Sequence, residues 1–283
     1  GGAGNDYLTG GLGADVMRGG LGNDNYFVDN IGDVVDETGG GGTQDRVDSS
    51  VTVSLTGIER VTLTGTANID ATLSGSAAST LTGNSGVNVL TSGSGNDNLN
   101  GGVGADVMRG GLGNDYYYVD NIGDVVDETG GGGTGDRIIT TVSFASADAE
   151  QIVLYGTANI NGTLTGSLSN SLYGNSGNNV LTSGSGNDYL EGAVGNDVLI
   201  GGAGNDSLKG GTGLDVFQFD TVLNAATNRD TISDFVVADD TIWLDDAIFT
   251  AIGATGALAA SQFKNLSLGA IDADDRIVYD GAT

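Results

Sequence analysis

A nine-residue unit, Gly-Gly-x-Gly-x-Asp-x-apolar-x, constrains this chain more than any other feature. It runs in tandem over 1–9, 10–18 and 19–27, again over 92–100, 101–109 and 110–118, and a third time over 183–191, 192–200, 201–209 and 210–218. Three columns are uniform through these ten units. The fourth position is Gly (Gly4, Gly13, Gly22, Gly95, Gly104, Gly113, Gly186, Gly195, Gly204, Gly213) and the sixth is Asp (Asp6, Asp15, Asp24, Asp97, Asp106, Asp115, Asp188, Asp197, Asp206, Asp215). The eighth is large and apolar or aromatic: Leu8, Met17, Tyr26, Leu99, Met108, Tyr117, Leu190, Leu199, Leu208, Phe217. So short a period builds a stack of small repeated units, each burying one apolar residue.

Six Gly-rich residues followed by x-apolar-x read as a tight turn and a short strand whose middle side chain points inward. Two units then close one flattened turn. Glycine supplies positive φ and close backbone approach, and each one costs about 0.5–1 kcal/mol in ordering entropy relative to Ala. That cost calls for a ligand. Turns stacked at about 4.8 Å would bring carboxylates and turn carbonyls of adjacent coils around a cavity of hard oxygens, which suits Ca²⁺. Mg²⁺ demands a tighter octahedron, and Zn²⁺ prefers nitrogen and sulfur ligands.

Composition narrows the chemistry further. The chain has no Cys, His or Pro, which removes disulfides, thiolate nucleophiles, imidazole metal sites and His-dependent triads. With 9 basic and 37 acidic residues among 283, its formal charge is −28, so nucleic acid and anionic membrane surfaces are disfavoured as partners. No apolar run is long enough to span a bilayer, so no membrane span is expected. The start, Gly1-Gly2-Ala3-Gly4, has no basic stretch or apolar signal core, and it reads as cut from something longer.

Degenerate units lead into the later blocks: 83–90 and 174–181 carry Asn88 and Asn179 in place of Asp, and 74–82 and 165–173 keep only Leu81 and Leu172. Residues 28–43 recur identically at 119–134, an offset of 91 that marks growth by duplication. The β-branched runs Val51–Leu55 and Arg137–Val142 read as strands. The resulting division is 1–27 (repeat block), 28–73 (connecting β segment), 74–118 (block), 119–164 (connecting segment), 165–218 (block) and 219–283 (C-terminal region).

These residues resemble the RTX (hemolysin-type calcium-binding) nonapeptide repeats of proteins exported by type I secretion, a motif also known in general terms as a Ca²⁺-binding parallel β-helix. The resemblance implies an all-β fold, a right-handed parallel β-roll (β-helix solenoid), with Ca²⁺ between turns. The implied ligands are the ten sixth-position Asp residues and carbonyls of the neighbouring glycines, including the fourth-position column. Ser92, Ser183 and Ala193 depart from the Gly pattern, and neutral Asn88 and Asn179 mark weak or empty sites. Residues 229–244 resemble the segment capping the roll in serralysin-type proteins, and Phe249–Tyr279 resembles an uncleaved C-terminal export signal, with the family pattern continuing past Thr283.

Competing readings are weaker. Tyr26, Phe27 and Tyr116–Tyr118 are placed in or over the core in preference to a glycan-stacking surface. Asp29, Asp33, Asp36 and Glu37, with their copies Asp120, Asp124, Asp127 and Glu128, fit added calcium sites and plain loop acids equally well. No unique carboxylate pair stands apart from the array as a glycosidase pair would, so no catalytic residue is assigned. Threonine columns of the kind an ice-binding face needs recur in only two copies. The expected function is a non-catalytic calcium module that folds after type I export, secreted or at the cell surface and monomeric. About eight Ca²⁺ ions follow from the pairing of turns. An upstream catalytic domain or an adhesin in which the roll is a spacer are the alternatives.

Overall fold

The computed structural model describes residues 1–39, 41–222, 224, 226–245 and 247–248, and two short strands beyond them, Phe263–Asn265 and Ile277–Tyr279. Among the described residues all regular structure is β, and the strands of every sheet are parallel. The chain is a β-solenoid. One sheet of thirteen strands runs from Tyr7–Thr9 to Thr231–Ile232 and forms the unbroken face.

Its register shows how the connecting segments are accommodated. Asn25 pairs with Arg46, Arg46 with Arg60, Arg60 with Thr80, Thr80 with Asn98 and Asn98 with Tyr116, steps of 21, 14, 20, 18 and 18 residues. The same five steps repeat from Tyr116 through Arg137, Gln151, Ser171 and Tyr189 to Ser207. Together they make the 91-residue offset, so the duplicated unit is five coils. The 18-residue steps are the paired nonapeptides foreseen from the repeat. The 21-, 14- and 20-residue coils abandon the nine-residue frame and still keep the sheet in register.

The core column preserves that register. Tyr26, Val47, Val61, Leu81, Leu99, Tyr117, Ile138, Ile152, Leu172, Leu190 and Leu208 stack in sequence, all buried, while Leu8 in the first coil is half-buried. Eighth-position residues, the degenerate Leu81 and Leu172, and the β-branched residues of the connecting coils thus meet in one hydrophobic cluster. Each such side chain, fully buried, is worth about 1.5–3 kcal/mol. The neighbours on either side of each point outward, as strand alternation requires. Tyr116 and Tyr118 therefore lie on the outer face, with the Arg137 guanidinium 5.5 Å from the Tyr116 ring centroid.

The return face is cut into three stacks. Val16–Arg18 pairs with Val34–Asp36; a five-strand sheet runs from Val53–Thr56 to Val125–Val126; a six-strand sheet runs from Phe144–Ser146 to Thr241–Leu244. Each cut falls where a 21-residue coil is followed by a 14-residue coil, whose return strand does not take up pairing with the one before. Residues 229–244 extend both faces: Thr231–Ile232 adds to Ser207–Leu208 and Thr241–Leu244 to Val216–Phe219. The export-signal reading of 249–279 lies outside the described residues, apart from the paired strands Phe263–Asn265 and Ile277–Tyr279.

Candidate metal centre

The sixth-position Asp sits immediately before its strand, where the turn delivers it to the edge of the sheet. Along the unbroken face each carboxylate reaches back one coil. Asp24 Oδ1 accepts from the Asp6 N–H at 2.7 Å, Asp115 Oδ1 from Asp97 at 2.7 Å, and Asp206 Oδ1 from Asp188 at 2.9 Å. The connecting coils fill the same column. Asp45 accepts from Asp24, Asp136 from Asp115, and Glu59 and Glu150 from Asp45 and Asp136. Asp230 accepts from Asp206 at the C-terminal end. A second ladder follows the return face, from Asn88 to Asp106 and Asp124, and from Asn179 to Asp197, Asp215 and Asp240.

Beside the acids runs a ladder of opposite direction. The fifth-position residues Asn5, Asn96 and Asn187 accept through Oδ1 from the N–H of Asn23, Asn114 and Asn205 in the following coil, each at 2.9 Å. Adjacent residues of one turn thus clasp the coils on both sides. Neither this ladder nor the entry of Asp45, Glu59, Asp136 and Glu150 into the acid column was singled out from the sequence. The recurrent Gly-Asn-Asp triplet was the available signal for the first, whereas the second depends on coil lengths of 21 and 14 residues that no fixed period shows.

Beyond the first coil, each sixth-position carboxylate thereby uses one oxygen, and the other is stranded. Oδ2 of Asp15, Asp24, Asp97, Asp106, Asp115, Asp188, Asp197, Asp206 and Asp215 is buried with no hydrogen-bond partner. Only Asp6 of the ten differs, its Oδ2 accepting from the Gly2 N–H. Buried polar atoms are ordinarily paired, and these nine orphan anionic oxygens, five along the unbroken face and four along the return face, are a donor set that suits a hard cation. Burial, and then the neighbouring carboxylates Asp124 and Asp120, push Asp106 up to about 6. Burial with Asp97 and Asp136 takes Asp115 to about 6, and burial with Asp215 does the same for Asp197. Burial, with Asp230 and Asp188 alongside, raises Asp206.

The glycine columns shape the space. A Cβ on the first-position Gly101 or Gly201 would collide with the carboxylate of Asp106 or Asp206 in its own unit. Gly204, at φ +141°, would press a Cβ into the Gly186 carbonyl oxygen. Fourth-position carbonyls thus face the space between coils. At the exceptions, Ser92 and Ser183 keep their backbone place and donate through Oγ to the carbonyls of Gly110 and Gly201 at 2.8 and 2.7 Å. Ala193 takes the positive φ of the glycine that it replaces, 78°.

Asn88 and Asn179 differ from the acids in kind. Asn88 Oδ1 accepts from the Asn84 N–H, and its Nδ2 donates to the Ile69 carbonyl and to Asn84 Oδ1; Asn179 does the same with Asn175 and Ile160. An amide supplies its own donor where a carboxylate leaves an oxygen bare. The other connecting acids divide. Asp36 and Asp127 form exposed ion pairs with Arg18 and Arg109 at 2.9 and 2.8 Å. Asp33 and Asp124 each join the return ladder through one oxygen and cap their own loops through the other.

No curated protein matches the chain. The family model of the RTX calcium-binding nonapeptide repeat matches it in four copies, over residues 1–26, 82–117, 164–199 and 191–220, the segments that carry the orphaned carboxylates. The solenoid is therefore a calcium-binding repeat module built, over these segments, on RTX, hemolysin-type nonapeptide repeats.

Proposed function

We propose that this module is a calcium-triggered folding element of a protein exported by a type I apparatus. The observation that carries the reading is the set of nine buried, unpartnered Asp oxygens, five along the unbroken face and four along the return face. Without a cation the aligned carboxylates repel one another and their desolvation is uncompensated, while 52 glycines favour the open chain. In the low-calcium cytosol the chain stays unfolded and fit for export. Extracellular sites of this type bind at about 10⁻⁴–10⁻³ M, so millimolar Ca²⁺ outside fills them, and an ion that binds only the folded form stabilises it by mass action. The ligands on this reading are the sixth-position carboxylates with fourth-position glycine carbonyls. The Asn88 and Asn179 rungs hold no ion of their own, and the segment 229–244 closes the stack.

Circular dichroism through a Ca²⁺ titration, with Mg²⁺ as control, tests this. A β spectrum that develops with Ca²⁺ and not with Mg²⁺ is expected, and one already complete in a chelator, or restored equally by Mg²⁺, overturns the reading. Asp206→Ala should move the midpoint to higher Ca²⁺. Isothermal calorimetry counts the ions, for which about eight remains the figure from pairing of turns.

A further inference from the structure

The 21-residue coil between Tyr116 and Arg137 brings a third carboxylate to the ladder. Carboxylate oxygens of Asp115, Glu128 and Asp136 lie within 4.8 Å of one another. Glu128 is 8% exposed and neither of its oxygens has a hydrogen-bond partner; Asp115 Oδ2 and the Tyr117 hydroxyl beside it are likewise buried and unpartnered. Its placement follows from the local chain. Asp127 turns outward to Arg109, and a turn closed by the Gly131 N–H on the Glu128 carbonyl, at 2.8 Å, holds Glu128 facing inward. Gly131 has to be Gly, because a Cβ there would meet Glu128 Oε2 and the Gly111 carbonyl oxygen.

Among the described residues no basic side chain offsets this charge. Arg109 is committed to Asp127, and Arg137 to Gln151 and the Tyr116 ring. Burial, then Asp136 and Asp115, push the Glu128 carboxyl up to about 8. The identical segment 28–43 builds the same triad from Asp24, Glu37 and Asp45, where the Tyr26 hydroxyl donates to Glu37.

We propose that Asp115, Glu128 and Asp136, and in the duplicate Asp24, Glu37 and Asp45, form a second class of cation site, which the nonapeptide does not encode and which takes Ca²⁺ ahead of the ladder rungs. Ligand charge sets Ca²⁺ affinity, and a third carboxylate should tighten binding by about tenfold or more. These sites fill first, one in each of the two 21-residue coils, and pin the point from which ladder rungs on either side are stacked. The inference rests on the calcium reading only in requiring that the solenoid fold.

The chain has five glutamates, Glu37, Glu59, Glu128, Glu150 and Glu191, so selective carboxyl ¹³C labelling of the intact protein gives five signals. During a Ca²⁺ titration by NMR, the Glu37 and Glu128 signals should shift at lower Ca²⁺ than that of Glu191, which pairs with Lys209 away from the triads. If Glu37 and Glu128 move only together with Glu191, or not at all, the proposal is overturned. As the second arm, the Glu37→Gln/Glu128→Gln double variant should lose the tightest calorimetric phase, by about tenfold in affinity, while the later phase remains. A double variant that retains the tight phase sinks the proposal and leaves the ladder reading intact. Absence of any Ca²⁺ binding by the wild type sinks both.

Discussion

At the scale of single residues the contrast between Asp and Asn is the informative one. Asn88 and Asn179 satisfy their own coil and the one before it with an amide, while Asp197, in the same column, leaves Oδ2 bare. Asp197→Asn should therefore lower the ion count by one and stabilise the metal-free state. It should also remove the stabilisation contributed by one site, about 1.4 kcal/mol at tenfold excess of Ca²⁺ over its dissociation constant. Melting curves with and without Ca²⁺ read both effects; a Ca²⁺-dependence equal to wild type would show that Asp197 holds no ion. Gly204 makes the complementary case. Its φ of +141° and the carbonyl of Gly186 both oppose a side chain, so Gly204→Ala should cost about 1–3 kcal/mol in chemical denaturation in Ca²⁺. The Ala193 backbone, at φ 78°, shows that the second-position glycine is less demanding than the fourth.

At the scale of the coil, the carboxylates act as a unit and protons can stand in for ions. Folded-state values of about 6 for Asp106, Asp115 and Asp197 and about 8 for Glu128 lie above the ordinary carboxylate values of 3.8 and 4.5. Groups so raised favour the folded chain fully below their ordinary values, and that contribution is lost as pH rises through about 6 and then about 8. The metal-free protein should thus gain β-structure on acidification from pH 8 toward 4.5, and Ca²⁺ binding in the folded protein should weaken over the same descent. A metal-free spectrum that is flat across this window counts against the ladder as the source of the switch. The nonapeptide coils were legible in the sequence because the same period fixes turn, ligand and core. The connecting coils were only half legible. Their β-branched residues announced strands, yet the entry of Asp45, Glu59, Asp136 and Glu150 into the acid column depends on Val47, Val61, Ile138 and Ile152 holding the core register across unequal loops. A core residue every turn is a tertiary constraint, and it overrides the spacing of the chain between.

At the scale of the molecule, strand pairing among the described residues joins only successive coils, so stability is a sum of coil terms and of the interfaces between them. The five-coil unit of 91 residues, used twice, makes those interfaces recur. Ion binding then also sets the electrostatics of the whole, since each Ca²⁺ removes two charges from a chain that carries −28.

The two cuts in the return face give this body a mechanical character. One flank is a continuous leaf of thirteen strands, and the other is notched between Asp36 and Val53 and between Val126 and Phe144. A beam notched on one side flexes by opening its notches, in one plane, and tears at them first. Stretched between optical traps in Ca²⁺, the solenoid should yield in three successive rips, one for each return-face stack, and a single rip over its whole length would show that the notches bear load as well as the leaf does.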